Sequence, residues 1–254
     1  MADRLPPGYR RQSFATLGST NTEAFAAARG GDAGNLWVTT EEQTAGHGRR
    51  GRTWIGGRGN VAASLLLIDP APPALAPTIA FVAGIALHQA VVDIAGPAVA
   101  ERVKLKWPND LLLDRMKVAG ISVEGDRLAD RRFAVVIGFG VNCRVHPESE
   151  TLHPATDFAA RNIPVEAEHL LGRLAERMAG ELERWQRGSN FRAVRTAWLA
   201  RSAGLGEPIR VRLADRSLDG RFDSLDDDGR LVVALGDGRR EAVSAGDVFL
   251  GGLA

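Results

Sequence analysis

Apolar positions along the chain change spacing several times, and each change predicts an element. Helical spacing predicts a helix over 21–29, ended by Gly30 and Gly31. Strand-like runs follow at 36–40 and 61–68, then an apolar helix over 78–94. The runs at 103–107, 111–113, 118–124 and 133–139 are short and closely spaced, which predicts antiparallel hairpins. A long helix over 166–186 puts Leu170, Leu174, Met178, Leu182 and Trp185 on one stripe, the pattern of core packing. After Ala203-Gly-Leu-Gly-Glu-Pro208 the character changes. Turn signals separate short strands at 209–213, 219–223, 231–235, 241–243 and 248–250, and together these predict a small β-barrel. The class is therefore α+β, with one domain over 1–203 and a second over 204–254.

Composition narrows the function classes. With 254 residues and 44% hydrophobic content, the chain can bury a proper core. A net charge of +1 gives no global pull toward nucleic acid or an anionic membrane, so any anion binding must come from local placement. Cys143 is the single cysteine, which excludes an intrachain disulfide and a cysteine-based zinc site. The first residues lack the apolar stretch of a signal peptide, and a cytoplasmic location is expected. The apolar segment 78–95 contains His88, Gln89 and Asp93 and is read as a core helix, with no membrane role expected.

Residues 43–54, Gln43-Thr-Ala-Gly-His-Gly-Arg-Arg-Gly-Arg-Thr-Trp54, have no packing logic. Gly46, Gly48 and Gly51 allow close backbone approach, and Arg49, Arg50 and Arg52 offer forked donors for carboxylate or phosphate. The spacing matches the dinucleotide fingerprint, but Gly56, Gly57 and Gly59 follow where that motif needs a helix, so a nicotinamide or flavin site is rejected. An exposed basic turn is the bland alternative. Thr20 and Glu23 have the spacing of a capping box, while Ser19, Thr20 and Asn21 also line up polar groups for a neutral ligand. Lys106-Trp-Pro-Asn-Asp110 ends a strand and presents Asn109 and Asp110 in a turn, outside any buried core. A carboxylate there beside Lys106 could meet a magnesium ion and nucleotide phosphates. Lys117 precedes a strand, a position usually solvated, and Asn142 closes a strand carrying Gly138 and Gly140.

Taken together and in order, these elements resemble the biotin protein ligases. Ser19-Thr20-Asn21, the glycine-arginine loop from Gly46 to Arg52 with Trp54, Lys106 to Asp110, Lys117 to Ile121, and Gly138 to Asn142 each match a family element. The resemblance implies a catalytic domain like that of class II aminoacyl-tRNA synthetases, a mixed sheet with flanking helices, followed by an SH3-like barrel. It implies that biotin carboxylate attacks the α-phosphorus of ATP to give biotinyl-5′-AMP, and that a lysine of a biotin carboxyl carrier protein then takes the biotinyl group. Lys117, Arg49 and Asp110 would be catalytic. Ser19, Thr20, Asn21, Gln43, Gly46, His47, Gly48, Arg49 and Lys117 would bind biotin. Arg49, Arg50, Arg52, Trp54, Lys106, Asn109 and Asn142 would bind ATP or the adenylate, and Asp110 would hold Mg²⁺ or act as a base. His47 stands where many members carry arginine. No helix-turn-helix segment precedes residue 10, so an enzyme-only monomer or homodimer without DNA binding is expected. Two other readings stay open: a lipoate or octanoate ligase or transferase, and a nucleic-acid-binding module resting on the arginine loop and the barrel.

Overall fold

The computed structural model describes residues 5–48, 51–147 and 154–251. A seven-stranded sheet forms the larger body, in the order β1-β2-β3-β7-β6-β5-β4. Its strands are β1 Arg10–Leu17, β2 Leu36–Gln43, β3 Val61–Ile68, β4 Val103–Lys106, β5 Asp110–Leu113, β6 Met116–Arg127 and β7 Phe133–Val141. β1 pairs parallel to β2, and every other neighbouring pair is antiparallel, including the expected hairpins from β4 to β7.

Both faces of the sheet's centre are covered, which explains why its strands read as continuous apolar runs. Leu65, Leu67, Val135 and Ile137 point to helices α2 Ile79–Ala95 and α3 Ala167–Trp185. Leu66 and Val136, one position out of phase, point to helix α1 Thr20–Arg29 through Ala24, Phe25 and Ala28. α2 and the turn before it are long and apolar enough to cross a membrane, but 72% of the most apolar stretch is buried inside the fold. On α3 the predicted stripe packs as expected: Leu170, Leu174, Met178 and Trp185 are buried and Leu182 packs partly against the core.

A second sheet, in the order β11-β10-β9-β8-β12, is wholly antiparallel. It comprises β8 Pro208–Arg212, β9 Ser217–Leu225, β10 Leu231–Ala234, β11 Arg240–Val243 and β12 Asp247–Leu250. Its Val211, Phe222, Leu231 and Val233 belong to the same hydrophobic cluster as the first sheet. The indole N–H of Trp107 also donates to the Gly229 carbonyl at 3.1 Å, which ties the two bodies at a buried point.

The structure corrects four expectations. β1 went unpredicted because Arg10, Arg11, Gln12 and Ser13 give no apolar run; it is an edge strand whose pattern is set by β2. Helix α4, Phe191–Leu199, also went unpredicted, although Phe191, Val194 and Trp198 form a short buried stripe. Phe81 meets Phe191 and Trp198 edge-on, with ring centroids 5.4 and 5.5 Å away. No capping box forms at α1: Ser19 is the N-cap and makes no side-chain cap bond, and the Thr20 hydroxyl is used elsewhere. Asp110 is not a solvated turn residue; it opens β5 and is buried, as is Lys106.

Candidate active site

A cavity of about 660 Å³ opens on the α1 side of the seven-stranded sheet and is bordered by His47, Gly48, Gly51, Arg52, Thr53 and Trp54. Strand register explains its floor. Asp110, Gly120 and Gly140 lie side by side across β5, β6 and β7, and Ser122, Gly138 and Ser64 lie side by side across β6, β7 and β3. The glycines are required by close approach rather than by backbone angle. A Cβ on Gly140 would sit 2.3 Å from the Trp54 ring, and one on Gly138 would sit 2.4 Å from Asn21 Oδ1.

At one end of the cavity the lining groups Ser19, Thr20, Asn21, Gln43 and Ser122 are polar and neutral, with the Glu124 carboxylate behind them. Thr20 N–H donates to Gln43 Oε1 at 2.9 Å, and Thr20 Oγ1 lies 3.1 Å from that oxygen. Ser64 Oγ lies 2.7 Å from Thr20 Oγ1 and 2.6 Å from Asn21 Oδ1. The Asn21 amide donates to Ser122 Oγ at 3.0 Å and to Glu124 Oε1 at 2.5 Å. Ser64, Ser122 and Glu124 carry no motif in the sequence. The only signal for them is the strand register, which needs the fold.

At the other end the groups are charged. Lys117 Nζ lies 2.6 Å from Asp110 Oδ1, and Lys106 Nζ lies 3.2 Å from Asp110 Oδ2. Burial lowers the Lys106 ammonium's pKa, and the Asp110 charge opposes that shift. Lys117 is therefore not a solvated lysine: it lines the cavity, and its ammonium stands 5.8 Å from the Trp54 ring centroid. Two cations around one carboxylate leave the cluster with a net positive charge toward the cavity, suited to an anionic ligand.

The 43–54 loop is a small hairpin among its described residues. His47 bridges Thr53, Gly48 N–H donates to the Arg52 carbonyl at 2.7 Å, and Trp54 N–H donates to the Gly46 carbonyl at 2.9 Å. Gly51 has φ +70, the conformation a glycine takes freely. Arg52 reaches across to Asp247 of β12 at 2.5 Å, so the second sheet also borders the cavity, through Gly246, Asp247 and Val248. His47 Nε2 lies 3.6 Å from Glu124 Oε1. Arg49 and Arg50 lie outside the described residues.

Ser19, Thr20, Asn21, Gln43, His47, Gly48, Arg52, Trp54, Lys106, Asn109, Asp110, Lys117 and Asn142 all line this one cavity. Gly46 sits just behind, where a Cβ would meet Gln43 Nε2 at 3.0 Å. Asn109 donates to the Ile121 carbonyl at 2.5 Å, which fixes the turn before β5. Asn142 is buried and donates to the Thr156 carbonyl at 3.1 Å, while its Oδ1 has no hydrogen-bond partner.

Comparison with known proteins agrees with this geometry. Residues 17–142 match the Biotin/lipoate A/B protein ligase family, and residues 204–251 match the biotin protein ligase C terminal domain. The chain is 38% identical to a biotin-[acetyl-CoA-carboxylase] ligase of Paracoccus denitrificans, over 94% of this chain and all of that one. It is 34% identical to the Mycobacterium tuberculosis protein of the same name, over 92% of this chain and 86% of that one. A biotin protein ligase from Aquifex aeolicus, solved in complex with biotin and ATP, shares the fold with a TM-score of 0.78 at 22% identity, covering 95% of this chain and 98% of that one. The matches to both family models, and 38% identity to the Paracoccus protein over 94% of this chain, place this chain in the family of the biotin protein ligases.

Proposed function

We propose that this chain is a biotin-[acetyl-CoA-carboxylase] ligase that joins biotin to AMP at the expense of ATP and then hands the biotinyl group to a lysine of a biotin carboxyl carrier protein. The observation that carries the reading is the division of one cavity into a neutral donor-acceptor end at Thr20, Asn21 and Gln43 and a cationic end at Lys106 and Lys117. A ureido ring needs the first, and a carboxylate approaching a triphosphate needs the second. In the first step a biotin carboxylate oxygen bonds to the α-phosphorus and pyrophosphate leaves. Both partners are anions, so their approach needs fixed cations. Lys117 supplies one beside the reacting groups, with Arg49, Arg50 and Arg52 as further donors to phosphate. Trp54 covers the base, and Asn109 and Asn142 border the nucleotide. In the second step the carrier lysine attacks the biotinyl carbonyl and AMP leaves, with Asp110 of the cavity wall the group assigned to take the proton.

Mg²⁺ bound to the nucleotide would neutralise phosphate charge. Asp110 does not fit a metal site as it stands, because each of its oxygens is already paired with an ammonium, and no step is routed through a metal there. Among the described residues no cluster of three His, Cys, Asp or Glu side chains is placed to hold an ion. The location that suits these substrates is the cytoplasm, where Cys143 stays a buried free thiol.

The test is pyrophosphate release with ATP and Mg²⁺, offering biotin, lipoate or octanoate in separate reactions without carrier protein. Release with biotin alone is expected. Release only with lipoate or octanoate would transfer the same chemistry to the other substrates of the family, and silence with all three would end the ligase reading.

A further inference from the structure

We infer that Glu124 and Ser64 are positioning residues that set the direction of a hydrogen-bond relay, leaving Thr20 Oγ1 an acceptor toward a ureido N–H of biotin. The inference rests on the biotin reading above and adds two residues and a direction to it. The relay starts at Glu124, whose carboxylate oxygen Oε1 is the acceptor of the Asn21 contact. It lies 2.5 Å from one end of the Asn21 amide, so that end must be the NH₂, which also serves Ser122 Oγ at 3.0 Å. The opposite end of Asn21 is then the carbonyl oxygen, 2.6 Å from Ser64 Oγ.

A serine hydroxyl has one hydrogen. Ser64 is fully buried, and its oxygen touches two others, Asn21 Oδ1 and Thr20 Oγ1 at 2.7 Å. The Asn21 carbonyl oxygen cannot donate, so the Ser64 hydrogen goes to it, and Ser64 accepts from the Thr20 hydroxyl. The opposite arrangement, with Thr20 donating to Gln43 and Ser64 donating to Thr20, would press two acceptors together at 2.6 Å between buried side chains. Two hydroxyl hydrogens serve three oxygen–oxygen contacts, so one contact goes without; the longest, Thr20 Oγ1 to Gln43 Oε1 at 3.1 Å, is the least costly to leave, and Gln43 Oε1 still accepts the Thr20 backbone N–H at 2.9 Å.

With its hydrogen committed to Ser64, Thr20 Oγ1 has only lone pairs left for the cavity. The ligand group it selects is therefore a donor, as a cyclic urea offers on each nitrogen. Packing holds the relay in register: Ser64, Gly138 and Ser122 are direct cross-strand neighbours, and Gly138 has no side chain to push Asn21 away. The loop reports to the same carboxylate through His47, 3.6 Å from Glu124.

The experiment is calorimetric titration of biotin into the wild type, Ser64→Ala, Glu124→Ala and Glu124→Gln, repeated with the two biotins methylated on one or the other ureido nitrogen. Losing one buried hydrogen bond in the relay should weaken biotin binding by about five- to twentyfold in Ser64→Ala and Glu124→Ala. Glu124→Gln keeps an acceptor oxygen and should stay within about threefold of wild type. The KM for ATP in the pyrophosphate assay should not change in any of them. One methylated biotin should bind the wild type weakly and lose nothing further in Ser64→Ala, because the N–H that Thr20 accepts is gone.

Wild-type affinity for biotin in either alanine variant, or equal further losses with both methylated biotins, would overturn the relay. Glu124 is 41% exposed, so its variants test the idea even if Ser64→Ala does not fold. Failure of the wild type to bind biotin at all would instead refute the assignment of the ligand.

Discussion

Replacing Asp110 with alanine separates a structural from a solvated role for the cluster at the cationic end. The Lys106 and Asp110 side chains are only 6% and 8% exposed, and each oxygen of Asp110 faces an ammonium. An exposed pair of this kind contributes about 0–1 kcal/mol, whereas stripping the partner from a buried charge costs about 3–5 kcal/mol. Lys117 is 28% exposed and can turn toward water, so Lys106 carries most of the penalty. Urea unfolding followed by circular dichroism at pH 7 should show the larger loss, a midpoint lowered by about 1 M or more at a slope of about 2–3 kcal/mol per molar.

The deficit should also depend on pH in a definite direction. Burial already depresses the Lys106 pKa, and Asp110 is the main group opposing that shift. Without it the folded-state pKa falls further below the unfolded value of about 10.4. A depressed folded pKa means the missing stability returns as pH rises toward the unfolded value and is lost again as pH falls through the folded one. The deficit of Asp110→Ala should therefore shrink as pH rises from the folded-state Lys106 pKa of the variant to the higher one of the wild type, and be level below and above that interval. A loss below about 1 kcal/mol at pH 7, or a deficit that does not change with pH, would refute the argument.

Three further outcomes follow from other parts of the molecule. Lys117→Ala should reduce pyrophosphate release by about a hundredfold or more, the scale of one fixed charge at the reacting centre, with little change in melting temperature; retained release would remove Lys117 from the reaction. Gly140→Ala should expel the Trp54 ring from the sheet floor, shifting tryptophan emission to the red and raising the KM for ATP by about tenfold or more; unchanged emission would mean the ring does not rest there. His88 is buried in α2, and desolvation, reinforced by the nearby Arg201 charge, pushes its pKa down to about 4. The folded protein therefore binds this proton less readily than the unfolded chain. Stability should fall as pH drops from about 6.5 to 4, and His88→Gln should flatten that part of the curve in urea titrations at each pH.

The site was more legible in the sequence than the fold that holds it. Segments such as 46–52, 106–110 and 138–142 combine glycine, charge and amide groups in ways no core needs, so their types pointed to chemistry before any contact was known. Long elements with strong periodicity, α2, α3 and the strands from β3 to β7, were legible for a similar reason: burial imposes a repeat on the residues themselves. β1 and α4 were not legible because their faces are set by what they pack against, β2 for one and Phe81 for the other. Tertiary structure alone decided that the Thr20 hydroxyl meets Gln43 and Ser64 beside the cavity rather than capping α1, that Asp110 is buried between two lysines, and that Ser64, Ser122 and Glu124 stand around Asn21. Sequence fixes which groups a residue can offer. Only the pairing of strands far apart in the chain sets which partners lie within 3 Å, and a hydrogen bond or ion pair exists only at that range.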